Sequence, residues 1–479
     1  MMTIVWIALP FFIGFSGYLF PKLIRHLAFG VALVSLSYSL QRIVEASSST
    51  LQLLNQFGVT LVVDPLSGYF ILTNALVTIA VILYCWQTGK TAFFYTQVII
   101  LHGSVNAVFI CADFISLYVA LEVIGIAAFL LVAYPRTDRS IWVALRYLFV
   151  SNTAMLFYLI GAALVYKANG SFEFAGLQNA PAEAIALIFL GLLTKGGIFV
   201  SGLWLPLTHS ESETPVSALL SGVVVKTGVF PLVRCALMVE GIGPTLQVFS
   251  MGTALLGVSY AIFEKDTKRM LASSTISQLG FVLAAPAAAG FYALTHGLAK
   301  ASLFLIAGNL PSRDFQELRQ SSLRKSLWVA LAIASLSISG LPLLAGFEAK
   351  VLTLKQLAPW QAIGLNIAAV GTAIVFAKFI FLPSKAQPDL AEAKAKKPGF
   401  WGAIVVLLGG LVAANSLNYE AYTAANIIKS LAIIGIGWLA YWLILRKSIF
   451  KLSRVPEQFE HLIGVMSLVL ILLFGMVLA

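Results

Sequence analysis

Charge is what this sequence has least of. Only 11% of its 479 residues are Asp, Glu, Lys or Arg, where soluble domains carry roughly 25%. With 59% hydrophobic residues and a mean hydropathy of +0.93, such a surface could not stay wet, so lipid must be the solvent. Cysteine is nearly absent. Cys85, Cys111 and Cys235 show no paired spacing and lie in or beside apolar runs, which excludes a disulfide frame and a metal or iron–sulfur cluster. Five histidines are too few and too scattered for paired haem ligands. No dinucleotide glycine motif and no nucleophile elbow occur, so neither a cofactor nor chemistry on a carbon substrate is expected. The short alternating strands of a membrane barrel are missing too. What is left is an all-α, polytopic transmembrane helical bundle, because a helix satisfies its own backbone in hydrocarbon.

At about 20 residues per span, sixteen segments fit, giving an expected 14–16 spans. They lie near 3–20, 27–44, 66–86, 93–110, 114–134, 141–166, 182–205 and 214–240. The rest lie near 245–263, 270–288, 290–310, 326–353, 359–382, 400–417, 425–445 and 460–479. The opening MMTIVWIALPFFIGFSGYLFP lacks a basic start and a small-residue cleavage site, so it reads as a retained first span and not a signal peptide. Alternating the loops puts twenty basic residues on one side, among them Lys394, Lys396, Lys397, Lys447 and Lys451, against Arg42, Lys167 and Lys355 on the other. The basic side is cytoplasmic by the positive-inside rule, and both termini face outward. The net charge of +11 is thus topological, and nucleic acid is not an expected partner.

Eight basic residues remain inside spans: Arg146, Lys195, Lys226, Arg234, Lys300, Lys350, Lys378 and Lys429. A charge at bilayer depth is costly and normally faces a protein interior or a wet cavity, unless it sits near a helix end and snorkels. Lys226 lies eleven residues after Pro215, about 16 Å along a helix and too deep to snorkel. Lys429 and Arg234 lie near span ends and read as anchors, Arg146 is intermediate, and Lys378 fits either reading. Among buried acids, Glu122 stands well inside its span. A Glu–Lys pair there would act as an electrostatic switch, each charge setting the proton affinity of the other. The bland alternative is a static ion pair. His296 and Lys300, four apart, share one helix face and suggest a proton relay. Nearby hydroxyls (Thr194, Thr227, Ser273, Ser274, Thr275) are a weak sign of held water.

Two segments break their helices. Gly202 and Pro206 follow Lys195 in SGLWLP, and Gly340, Pro342 and Gly346 precede Lys350 in SGLPLLAGF. Broken helices at depth mark ion sites in transporters. The recurrence suggests two five-helix units of opposite topology. The expected division is 1–92 (N-terminal spans), 93–240 (first repeat), 241–382 (second, inverted repeat) and 383–479 (a charged linker and final spans).

The stretches WLPLTHSESETPVSALLSGVVVKTGVFPLVR, EKDTKRMLASSTISQLGFVL, HGLAKASLFLIAG and SLSISGLPLLAGFEAK, with DPLSGYF, occur in this order between residues 64 and 382. Together they resemble the antiporter-like membrane subunits shared by respiratory complex I, membrane-bound hydrogenases and Mrp-type cation/proton antiporters. The resemblance implies fourteen core helices and a proton path. Glu122 and Lys195 would be its switch pair, Lys226 its central relay, His296 and Lys300 its continuation, and Lys350 its outward end. Arg146 and His209 are secondary candidates. Leu207 departs from the acid often found after WLP, and Tyr292 from a second histidine. Lys350 stands where one complex I subunit has glutamate, which favours a subunit of a multisubunit Na+/proton antiporter. The alternatives are a proton-pumping subunit of an NADH or ferredoxin:quinone oxidoreductase or of a hydrogenase, and a non-transporting scaffold. The chain is not expected to be catalytic by itself, although a redox-driven translocase could contain it. Expected partners are other membrane subunits, protons, Na+ and lipid, in a prokaryotic plasma (inner) membrane or a thylakoid.

Overall fold

Each of the sixteen apolar segments is helical in the computed structural model, which describes residues 2–54, 58–385, 398–446 and 452–478. The linker residues 386–397 and the basic residues Lys394, Lys396, Lys397, Lys447 and Lys451 lie outside the described residues. The first six helices are α1 (Met2–Ser16), α2 (Ile24–Glu45), α3 (Pro65–Cys85), α4 (Ala92–Val108), α5 (Phe114–Val132) and α6 (Asp138–Asn169). The next two segments are each divided. One is α7 (Ala182–Gly196) and α8 (Leu205–Glu211); the other is α9 (Thr214–Leu219) and α10 (Lys226–Met238). Then come α11 (Gly243–Phe263), α12 (Thr267–Ala284), α13 (Ala289–Ala307) and the short surface helix α14 (Phe315–Gln320). The twelfth segment is split into α15 (Lys325–Ser339) and α16 (Ala345–Leu354), and α17 (Pro359–Ile380), α18 (Pro398–Ala414), α19 (Ala424–Ala440) and α20 (Phe459–Val477) complete the chain. Among the described residues, eleven helical stretches are long and apolar enough to cross a membrane, and four shorter ones are apolar as well. The protein is an integral membrane protein.

Local chemistry fixes the helix starts. Asp64, Asp113, Thr137 and Asp266 each accept a backbone N–H three residues on, satisfying a donor that the first turn leaves orphaned. One element was not foreseen: an antiparallel hairpin of β1 (Ser49–Leu54) and β2 (Gly58–Val63) between α2 and α3. Its Val62 N–H donates to Ile110 O at 2.7 Å and Thr60 O accepts from Ala112 N–H at 2.8 Å, so it seals the ends of α4 and α5.

Arg234 is not the membrane anchor expected. Its guanidinium pairs with both oxygens of Asp64, the α3 cap, and donates to Ser67 Oγ at 3.0 Å. Burial raises the Asp64 carboxyl, but the hydrogen bonds and charge of Arg234, helped by Ser67, outweigh it and hold it below its ordinary value. Lys378 also turns inward, donating to Ala261 O (3.1 Å) and Glu264 O (2.8 Å) at the end of α11. It satisfies carbonyls the helix terminus leaves open. Lys429 is exposed.

The last helix, α20, lies across α6 and α7, with Phe459 edge-on to Phe149. A clamp holds its leading turn. Arg269 binds both Glu457 (2.5 Å) and Glu264 (3.1 Å), Arg454 pairs with Glu264 at 2.9 Å, and Arg146 donates to the Glu457 carbonyl. Burial pushes the Glu457 carboxyl above its ordinary value even beside Arg269.

Candidate functional site

The first break begins earlier than SGLWLP suggested. The chain leaves helical geometry at Gly197 (φ 68°), Phe199 follows at φ 54°, and a tighter turn over Phe199–Trp204 leads into α8, with Pro206 in its first turn. The second break repeats this pattern with Gly340 (φ 90°) and Leu343 (φ 72°). Only glycine takes this region without strain, so each break is written into the backbone by a glycine. A third interruption carried no sequence signal: a π turn over Leu220–Val224 directly before Lys226. Such turns release carbonyls from the regular ladder.

The four lysines lie inside the protein. Lys226 and Lys300 are 0% exposed, Lys195 3% and Lys350 8%. Each ammonium is held by neutral oxygen. Lys195 donates to Ser151 Oγ (2.5 Å), and Lys226 to the π-turn carbonyls of Gly222 (2.5 Å) and Ser221 (3.3 Å). Lys300 donates to Ser274 Oγ (2.7 Å) and Leu271 O (3.0 Å), and Lys350 folds back on Ser339 O (3.0 Å) at the second break. Phe376 and Phe281 offer ring faces to Lys300 and Lys350 at 5.3 and 5.7 Å. Among the described residues, none of the four forms an ion pair.

The expected Glu122–Lys195 pair is therefore open here. The Lys195 ammonium lies against Gly125, 3.1 Å from where a Cβ would stand, about one turn from Glu122. Glu122 Oε1 has no hydrogen-bond partner. Its side chain is half-buried, on the α5 face that also carries the exposed Val119 and Ile126.

The other groups form a contiguous series. A Cβ on Gly228 would meet Gly196 N at 2.2 Å, so α7 and α10 touch backbone to backbone between Lys195 and Lys226. Lys226 Nζ lies 3.4 Å from the Cβ position of Gly297, the neighbour of His296 on α13. His296 is 2% exposed and neither ring nitrogen has a partner among the described residues. It faces a cavity of about 10 Å³ with Gln278, Tyr292, Thr295, Ser337 and Gly346, room for about one water. Ser337 and Gly346 flank the second break, which connects His296 to the Lys350 region. Tyr292, at the position where the resemblance implied a second histidine, donates to Gln278 Oε1 at 2.8 Å in the same cavity. Beyond it, Lys350 lines a cavity of about 150 Å³ with Ser339, Lys355, Asn426, Lys429 and Ser430.

The secondary candidates separate. Arg146 belongs to the C-terminal clamp. His209 is fully buried against Phe304 with both nitrogens unpartnered. It stands beside Leu207 and Ser210, which line a charged cavity of about 750 Å³ with Glu211, Asp266, Arg269 and Arg313. Sequence reasoning missed Glu348, a fully buried acid whose two oxygens both lack partners. Its position in FEAK, two before Lys350, was the available signal.

Residues 111–376, more than half of the chain, match the family described as NADH:quinone oxidoreductase/Mrp antiporter, TM. The chain is 29% identical to NADH-quinone oxidoreductase subunit N of Desulforudis audaxviator, over 80% of this chain and 81% of that one. It is 28% identical to a subunit of the Na(+)/H(+) antiporter of Alkalihalophilus pseudofirmus, over 78% and 83%. In fold it is similar to a chain of the Mrp complex from a Dietzia species, with a TM-score of 0.78 at 23% identity, covering 92% of this chain and 56% of that one.

Proposed function

Since the chain belongs to the NADH:quinone oxidoreductase/Mrp antiporter membrane-subunit family, we propose that it is the proton-conducting subunit of a multisubunit monovalent cation (Na+)/proton antiporter. The observation that carries this is the run of unpaired buried ammonium groups, Lys195, Lys226, Lys300 and Lys350, each resting on neutral oxygens. A fixed ion pair would trap each charge; a hydroxyl or carbonyl stabilises the cation and still lets it give up its proton. Protons enter from the charged cavity at the basic, cytoplasmic side. They pass Lys195 and Lys226, cross by His296 and its single-water cavity with Lys300 alongside, and leave at Lys350. Glu122 stabilises the Lys195 ammonium when the two close together and releases it when they part. The matching breaks at Gly197 and Gly340 support two inverted five-helix repeats, 93–240 and 241–382, between N-terminal spans and a C-terminal region from 383. Both termini then face away from the cytoplasm of a prokaryotic plasma membrane or a thylakoid.

A lysine at position 350 favours the antiporter reading. The similarity to an NADH-quinone oxidoreductase chain supports a second one, a proton-pumping subunit of a redox enzyme. One experiment separates them. With the native assembly in vesicles, a Na+ jump is expected to drive a pH change without any electron donor. Glu122→Gln is expected to slow that change about tenfold, the loss of roughly 1.4 kcal/mol of charge coupling. A pH change seen only with NADH or ferredoxin, and co-purifying cluster-binding chains, would transfer the protein to the redox enzymes.

A further inference from the structure

The twelfth-segment break carries a carboxylate with no ion-pair partner among the described residues. Glu348 is 0% exposed, and among the described residues neither Oε1 nor Oε2 has a hydrogen-bond partner of regular geometry. It sits in the first turn of α16, two residues before Lys350. Two positions along a helix turn a side chain by about 200°, and the Lys350 ammonium faces the other way, toward Ser339 and Phe281. The carboxylate looks instead at the connection between α18 and α19. Asn418 and the Tyr422 hydroxyl close around it, yet neither makes a hydrogen bond of regular geometry with it. Tyr422 Oη donates to Asn415 Oδ1 at 2.7 Å, and its ring lies 4.9 Å from that of Phe347. Phe347, Val351 and Ala421 form an apolar cluster of their own, with Tyr422 and Ile427 packed on it. The connection is thus a cap seated on α16. Asn415, Asn418 and Tyr422 remain half-buried, so the carboxylate lies just under the surface.

A buried carboxylate with no countercharge is costly unless it takes up a proton or a cation. Two features favour the cation. The first turn of a helix stabilises the negative form. Asn415 and Asn418 beside it carry amide carbonyl oxygens, ligands that hard cations take along with carboxylate. One carboxylate matches one positive charge, and no group of three or more acidic, histidine or cysteine side chains that could hold a divalent ion is gathered among the described residues.

We propose that Glu348, Asn415, Asn418 and Tyr422 form a binding site for a single alkali cation of the size of Na+, on the side of the broken helix away from the lysine series. The site goes beyond the proton path and stands on its own geometry. The test is equilibrium binding of radioactive Na+ to the purified native assembly, at constant ionic strength set with choline chloride. Glu348→Gln is expected to remove one saturable ion per chain, or weaken it at least tenfold, while Glu348→Asp keeps it within tenfold. Lys226→Met should leave this binding intact, so a failed proton path and a failed cation site give different patterns. Thermal unfolding is the second measurement: NaCl should raise the wild-type midpoint above that in choline chloride, and should not do so for Glu348→Gln or Asn418→Ala. Equal Na+ binding by wild type and Glu348→Gln, or a wild-type midpoint indifferent to Na+, would overturn the proposal.

Discussion

Lys226→Met is expected to lower proton flux through the reconstituted assembly at least about 100-fold, the scale on which a positioned proton donor acts. It should leave folding intact. The side chain is fully buried and its ammonium rests on Gly222 O and Ser221 O with no acid beside it. Methionine has a similar length and fills the space, so the variant sheds a desolvated charge without opening a cavity. Unfolding should therefore occur at the same temperature or higher. Lys226→Arg makes a sharper comparison, because guanidinium keeps the charge but does not titrate near neutral pH. It too should stop transport. Undiminished flux in both variants would leave only the scaffold reading.

Breaking the Asp64–Arg234 pair is expected to produce the largest loss of stability, about 3–5 kcal/mol on removal of one partner of a buried pair. Asp64→Asn is the informative change. Asparagine still caps α3 through the bond to Ser67 N, so only the charge is lost and Arg234 is left uncompensated. Arg234→Met in the same chain should recover most of the loss, because two neutral groups cost less than one stranded charge. Chemical denaturation in detergent of the two single variants and the double variant measures the coupling. The pH dependence has a definite sign. The folded carboxyl titrates below its ordinary 3.8, so its contribution is complete above that value. It disappears as pH falls through the lowered folded value. Asp64→Asn should flatten that acid limb.

The lysine series was legible because an isolated charge in an apolar run has few explanations in lipid. Lys195, Lys226, Lys300 and Lys350 could be picked out one by one, and the glycines of SGLPLLAGF marked the second break. The first break was misplaced by a few residues. Gly197 makes the turn, whereas Gly202 is needed for room, since a Cβ there would meet Gly197 O at 2.2 Å. The π turn before Lys226 has no residue signature; it follows from packing, which sequence periodicity cannot report. Arg234, Lys378 and Arg146 looked like anchors or intermediate cases because their partners, Asp64, Ala261 and Glu457, are far away in sequence. Glu348 was overlooked for the opposite reason. It stands two residues before Lys350, the residue that drew attention to this stretch, and helix geometry turns the two apart.

The clamp on Glu457 also bears on how the protein is made. Arg146 and Arg269 emerge from the ribosome long before residue 457 exists. Until α20 is made, the face of α6 and α7 that it covers stays bare, so a chain cut before residue 455 would present that face to lipid.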